Sequence, residues 1–211
     1  MRVAPPPSTL TNLAVGFWVP WSPQALAQRW PFCWWLAVVL AHFSRAVIGF
    51  AVFKKQPTAT EIRDFVRRAA DKAGAAPKNL ITDRGKQFTS KMIRRSCRKR
   101  GVRQRFGAVG QKGSIAVIER FFRTLKSEGT RRISIPLRVA TIREEMALFA
   151  TWYNQHRPHR ALDGRTPAEC AAGTVAKSEP AQPGPNQRLA LVVGYLEGRR
   201  HLPVVQIRRA A

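Results

Sequence analysis

Two apolar runs, Cys33 to Leu40 and Ala46 to Phe53, dominate the hydrophobic pattern of this chain. Both are rich in β-branched and aromatic residues, and the polar stretch between them holds His42, Ser44 and Arg45. They predict an antiparallel strand pair joined by a turn. As one stretch, residues 31–53 are long enough to cross a bilayer, but the polar residues break its middle and no membrane span is expected. Downstream the period becomes helical. Residues 58–74 carry Thr58 and Glu61 at capping-box spacing, an apolar stripe of Ile62, Phe65, Val66 and Ala69, and a terminating Gly74. Lys78 to Thr82 is a third strand, ending at Asp83. Thr89 to Arg100 is a basic helix closed by Gly101, and residues 102–106 form a short fourth strand. Further helices are expected at Ser114 to Glu128 and Ala140 to His156, with a last short one over residues 166–173 that has Pro167 in its first turn.

Strands first, then strands alternating with helices, indicate an α/β domain with a mixed sheet flanked by helices. Residues 1–13 show no clear period and are expected to be poorly structured, so the core domain is placed at 14–173. Residues 174–186 have linker composition, and 187–211 alternate as a short β-hairpin tail that packs back on the domain. The stretch Ala-Leu-Ala-Gln at 25–28 imitates a signal-peptide cleavage site. Pro20 interrupts the apolar core before it, and no leader is expected.

Charge changes the picture. With 37 Lys and Arg against 12 Asp and Glu, the formal net charge is +25 and the pI about 11.7. Such an excess calls for a polyanionic partner, and nucleic acid comes first, because phosphates neutralised by Lys and Arg release counterions. The densest basic segment contains Arg84, Lys86, Lys91, Arg94, Arg95, Arg98, Lys99, Arg100, Arg103 and Arg105, with no acid between positions 84 and 118. A phosphate-binding face explains this better than a merely solvated one. Cys33, Cys97 and Cys170 have neither Cys-x-x-Cys nor Cys/His ligand spacing, and read as reduced thiols of a cytosolic protein.

Two carboxylates stand out. Asp83 follows a buried strand at a glycine turn, where α/β sites often form, although a side chain that only caps the turn fits the same residues. Glu119 borders a helical stripe of Ile115, Ile118, Phe122 and Leu125, with a solvated pair to Arg123 as the plain alternative. Between Asp83 and Glu119 lie 35 residues. Arg123 and Lys126 follow Glu119, and Lys126 is two helical turns beyond it; a file of cations leading from an acid suits a DNA backbone. His156 and His159 lack i,i+4 partners and read as structural or DNA-proximal groups rather than metal ligands.

Leu80–Phe88, the 35-residue interval, residues 113–128 and residues 152–169 with Tyr153, Asn154, Arg157, Pro158 and His159 together resemble a known pattern. It is the catalytic core of retroviral integrases and bacterial insertion-sequence transposases, the DDE polynucleotidyl-transferase group with an RNase H-like fold. The resemblance covers roughly residues 15–172. It implies two divalent ions, Mg²⁺ or Mn²⁺, held by two strand aspartates and a helix glutamate, one activating the attacking hydroxyl and the other the leaving oxygen. Asp83 matches the second aspartate and Glu119 the glutamate, while Lys126 matches a DNA-end contact. The implied activity is DNA integration or transposition by phosphodiester strand transfer. The implied partners are transposon ends and target DNA, with self-assembly into a homo-oligomer, and the implied setting is the bacterial cytoplasm and nucleoid. The DNA-facing residues on this reading are Arg84, Lys86, Arg94, Arg95, Arg98, Lys99, Arg100, Arg123, Lys126 and Arg157.

One element departs from the pattern. No Asp or Glu precedes Glu61, and Thr9 stands where the resemblance places the first aspartate. A hydroxyl brings no negative charge to bridge two cations. Ala41 likewise stands where relatives often carry an Asp, at a position that is not a metal ligand. The sequence therefore predicts a catalytically incomplete core, with a non-enzymatic DNA-binding transposase remnant as the alternative. An RNase H-like nuclease of other specificity is disfavoured by the Tyr153–His159 element.

Overall fold

The structure, a computed structural model, describes residues 12–18, 34–74, 76–107, 115–132, 138–174 and 189–209. Its centre is a five-stranded sheet built from β1 (Asn12–Trp18), β2 (Trp35–Ala41), β3 (Val47–Phe53), β4 (Asn79–Thr82) and β5 (Arg103–Phe106), in the order β3-β2-β1-β4-β5. β1 runs antiparallel to β2 and β2 to β3, whereas β4 lies parallel to both β1 and β5. The sheet is mixed, as the strand–helix order predicts. The predicted strand pair is β2 and β3. β1 is central, and Leu13, Ala14 and Val15 are each at most 1% exposed. A strand buried on both faces has no polar alternation to reveal it, which is why Asn12–Trp18 carries no strand signature.

Alternate residues of the sheet feed two cores. Leu13, Val15, Ala37, Val39 and Leu80 pack against α1 (Ala59–Lys72) and α3 (Lys91–Lys99) through Ile62, Phe65, Ala69, Ile93 and Cys97. On the other face, Ala14, Leu36, Val38 and Leu40 pack against α4 (Ala116–Thr124) and α5 (Val139–Gln155) through Ile118, Phe121, Met146 and Phe149. Thr58 and Glu61 close the predicted capping box at α1, and Gly74 adopts the left-handed conformation (φ 79°) that ends it.

One local expectation gains an element and two are corrected. The basic helix expected at 89–100 is α3, and the added element is a short α2 (Lys86–Thr89) before it, which stops at extended Ser90, whose hydroxyl accepts the Ile93 N–H to start α3. In α4 it is Phe121 that is buried, at 3% exposure, and Phe122 is only partly covered. Past Thr124 the helix widens into a π turn, Leu125–Gly129, so the two-turn spacing from Glu119 to Lys126 is only approximate. Gly129 is needed there, since a Cβ would stand 3.0 Å from the Phe149 ring.

The short helix α6 (Pro167–Ala171) has its own capping box from Thr166 and Glu169. The tail forms the expected hairpin of β6 (Leu189–Tyr195) and β7 (Pro203–Arg209). Leu202, fully buried, anchors the hairpin tip in the α4–α5 core, the Trp152 indole donates to the Pro203 carbonyl at 2.8 Å, and Arg199 pairs with Glu145 at 2.7 Å. No helix among the described residues is long and apolar enough to cross a membrane. Cys97 and Cys170 are free and buried; Cys33, Thr9, Ser114 and most of the predicted linker lie outside the described residues.

Candidate functional site

Asp83 leaves the end of β4 into solvent. Its Oδ1 accepts the Gly85 N–H at 2.8 Å, so the carboxylate does close the turn. Glu119 is exposed on α4 and makes no ion pair among the described residues, which removes the Arg123 pairing. Both acids border β1. Parallel pairing joins Asn12 with Asn79, Leu13 with Leu80 and Ala14 with Ile81, and Gly16 and Asp83 each lie two residues beyond the last of these pairs. Gly16 also abuts the residue before Glu119. A Cβ on it would stand 2.7 Å from Ile118 Cγ1 and 2.9 Å from a Phe122 ring carbon.

Gly16 is thus the described β1 position nearest this region in register, packed against the residue before Glu119, and it has no side chain. The space a carboxylate would need is filled by Ile118 and Phe122. Elsewhere the acids of the N-terminal half are committed: Glu61 caps α1, which lowers its pKa through the Thr58 backbone N–H, and Asp64 is forked by Arg63. Among the described residues no group of three or more His, Cys, Asp or Glu could hold a metal ion. A site needing three carboxylates around two divalent ions does not fit these residues. Two oxygen donors without a third leave charge and coordination short.

The basic residues fare differently. Arg84, Lys86, Lys91, Arg94, Arg95, Arg98, Lys99, Arg100, Arg103 and Arg105 are all exposed, spread over the turn after β4, α2, α3 and the edge strand β5. Among the described residues only Arg100 is paired, with Asp71 of α1. Arg123 is exposed on α4 and Lys126 half-buried in the π turn.

Structural tasks occupy much of the Tyr153–His159 element. Tyr153 is buried with its ring edge-on to Phe121 and His159, and burial pushes its hydroxyl up to about 12. Asn154 accepts the Val47 N–H at 2.8 Å and donates to the Val47 carbonyl at 3.0 Å, acting as one more strand partner on the free edge of β3. Arg157 forks onto Glu128 of the π turn, with Nε and Nη2 each 2.7 Å from a carboxylate oxygen, and this bond raises its pKa. The structure thus commits most of Arg157's donors within the protein. His159 lies half-buried beside that pair; burial and then the Arg157 charge push its pKa down to about 4.

Three further arginines, unmarked in sequence, gather by the same element: Arg45, Arg120 and Arg160 line a cleft with Arg157 and His159. Positions 45, 120 and 160 are too far apart in the chain for any spacing signal. The one local hint, a polar residue needing left-handed backbone (Arg45, φ 64°), is not readable from residue type.

Comparison with known proteins places this architecture. Two family models, each described as an integrase core domain, match residues 26–112 and 100–167. The chain is 28% identical over 136 residues to the transposase of insertion sequence element IS904 from Lactococcus lactis, covering 64% of this chain and 53% of that protein. It is 32% identical over 114 residues to a 31.7 kDa protein of insertion element IS407 from Burkholderia multivorans, covering 51% and 40%. The chain thus spans about half the length, or less, of these curated relatives. Among solved structures, the catalytic core of BIV integrase matches with a TM-score of 0.58 at 18% identity, over 78% of this chain and 95% of that one. The HTLV-2 integrase catalytic core in complex with magnesium also matches at 0.58, with 17% identity over 77% and 96%.

Proposed function

We propose that this chain, an integrase-core protein similar to insertion-element transposases and with the RNase H-like fold of retroviral integrase cores, binds DNA without carrying out strand transfer. The observation behind the loss of chemistry is Gly16. Asp83 and Glu119 match two carboxylates of a three-carboxylate site. The described β1 position nearest this region in register offers only hydrogen, with Ile118 and Phe122 packed over it. The HTLV-2 core was solved with magnesium, and an intact core of that kind would use such an ion to activate the attacking hydroxyl. Two acids without the third do not supply that environment here.

DNA binding is supported by the ten exposed cations from Arg84 to Arg105, of which only Arg100 has an acidic partner among the described residues. Duplex binding through such a face falls steeply with salt, because each neutralised phosphate releases counterions. The HTLV-2 core is described in trimeric and dimeric forms, and self-assembly of this chain is the corresponding expectation.

Two assays on the same preparation test the proposal. Fluorescence anisotropy with a short duplex, titrated with KCl, should give salt-dependent binding that weakens on Arg94→Ala and Arg98→Ala. A strand-transfer assay with matched transposon ends in Mg²⁺ or Mn²⁺ should give no product. Robust transfer that disappears in Asp83→Asn would overturn the loss of chemistry, and salt-insensitive or absent DNA binding would overturn the rest.

A further inference from the structure

Where the β2–β3 turn, α4 and the segment after α5 meet, the surface folds inward into a cleft of about 320 Å³. Arg45 comes from the turn, Arg120 from α4, and Arg157 and Arg160 from the segment after α5, with Tyr153 and His159 at the back. Among the described residues no Asp or Glu lines this cleft. Glu128 neutralises Arg157 from behind, and none of Arg45, Arg120 and Arg160 makes an ion pair among the described residues. Three guanidinium groups thus face one concavity without a counter-charge.

The arrangement is held in place. Arg45 sits in left-handed backbone, a conformation that disfavours side chains with a Cβ. One of its guanidinium nitrogens donates to the His42 carbonyl at 2.8 Å, which fixes the head group. Burial lowers its pKa, and so does the neighbouring Arg120 charge, so the two arginines repel across the cleft. An anion between them would relieve that repulsion, and phosphate suits planar guanidinium forks, which reach two oxygens at once.

We propose that this cleft binds a phosphate group, supplied by the backbone of a nucleic-acid strand lying along α4. The inference rests on the DNA-binding reading above and adds a second contact to it. On α4, Arg120 follows Glu119 by one residue and so points about 100° around the helix from it. Ala116, Arg120 and Thr124 line the cleft, while Glu119 and Arg123 occupy the adjoining face. A strand crossing the acid-bearing edge beside β1 would reach the cleft by wrapping a quarter of the helix.

The test uses the full chain and the variants Arg120→Ala, Arg160→Ala and Arg45→Gln, with Arg94→Ala as an α3 control. Arg120 and Arg160 are exposed, so their loss leaves the fold intact even if Arg45→Gln does not. In the first arm, duplex affinity is measured across a KCl series. Each cleft variant should weaken binding and lower the slope of log K against log salt by about one unit. In the second arm, inorganic phosphate alone is added to the protein. It should raise the thermal midpoint of wild type and Arg94→Ala, but not of Arg120→Ala or Arg160→Ala. If the chain binds DNA with slopes unchanged in the cleft variants, and phosphate gives no variant-sensitive shift, the cleft proposal fails and the α3 surface stands. If wild type binds no DNA, the DNA-binding reading fails; a phosphate shift lost in Arg120→Ala would then sustain the cleft as a site for free phosphate groups, and its absence would remove that too.

Discussion

Replacing Asn154 by alanine should loosen the edge of the sheet. Among the described residues β3 is an edge strand, and at Val47 its outward N–H and C=O meet no other strand. Asn154 supplies both missing partners with one amide, at 2.8 and 3.0 Å. Val47 is only 8% exposed, so water does not readily replace the amide. Leaving a buried backbone group without a partner costs about 1–3 kcal/mol, and a partly reachable edge lies at the low end of that range. Two groups together give about 2 kcal/mol for Asn154→Ala. Asn154→Asp should cost at least as much at neutral pH: one oxygen can still accept from the N–H, but the other turns a charge toward the Val47 carbonyl. Urea unfolding measures the loss, and hydrogen exchange at the Val47 amide locates it. A loss under about 0.5 kcal/mol for Asn154→Ala, with Val47 exchange unchanged, would refute the strand-partner role.

Three other outcomes follow from particular contacts. Leu202→Ala should cost about 2–5 kcal/mol, because the hairpin tip is part of the α4–α5 core; a loss below about 1 kcal/mol in the same unfolding assay would mean the hairpin only leans on it. Gly16→Ala should destabilise by about 1–3 kcal/mol through overpacking on Ile118 and Phe122, and much of that should vanish when Ile118→Ala is present, whereas simple additivity would argue against the crowding. For His159 the folded pKa is about 4 against an ordinary 6.5, so the unfolded chain takes up its proton first as pH falls. Its contribution is fully present above pH 6.5 and is lost as pH drops toward 4, by an amount on the order of 1 kcal/mol once solvent screening of a half-buried ring is allowed for. Arg157, Arg45, Glu128 and the Tyr153 carbonyl are the groups that bear on it, and His159→Asn should flatten that part of the stability profile.

What could be read from the chain follows the range of the interactions. The capping boxes at Thr58 and Thr166 join residues three apart, and the β2–β3 pair is joined by a short turn, so each carries its own local signal. β1 does not: it is recognisable only by partners at positions 36–41 and 79–81, and its continuous apolar stretch resembles a buried helix or a leader as much as a strand. Phe121 and Phe122 are adjacent and equal in chemistry, so a stripe drawn at helical spacing fits either, and only the packing against Phe149 and Tyr153 selects Phe121. The break at Ser90 is a contest between helix propagation and a side-chain cap, which sequence spacing does not decide. The cleft arginines were invisible for the reason β1 was: topology, not spacing, brings positions 45, 120 and 160 together.

The residues that make this chain recognisable therefore carry two kinds of information. Tyr153, Asn154 and Arg157 tie α5 to α4, to the edge of β3 and to the π turn, and these ties are needed whether or not phosphodiesters are cut. Asp83 and Glu119 are exposed and make few contacts, so folding does not demand a carboxylate at either position beyond the turn that Asp83 closes. A likeness resting mostly on the first kind transfers the fold strongly and the chemistry weakly. Gly16 shows how the two separate. With no side chain at this central-strand position, Ile118 and Phe122 pack directly over it, so α4 packs on β1 through apolar contact alone there. A carboxylate placed there by Gly16→Asp would enter an apolar contact, so adding that acid alone should destabilise the chain.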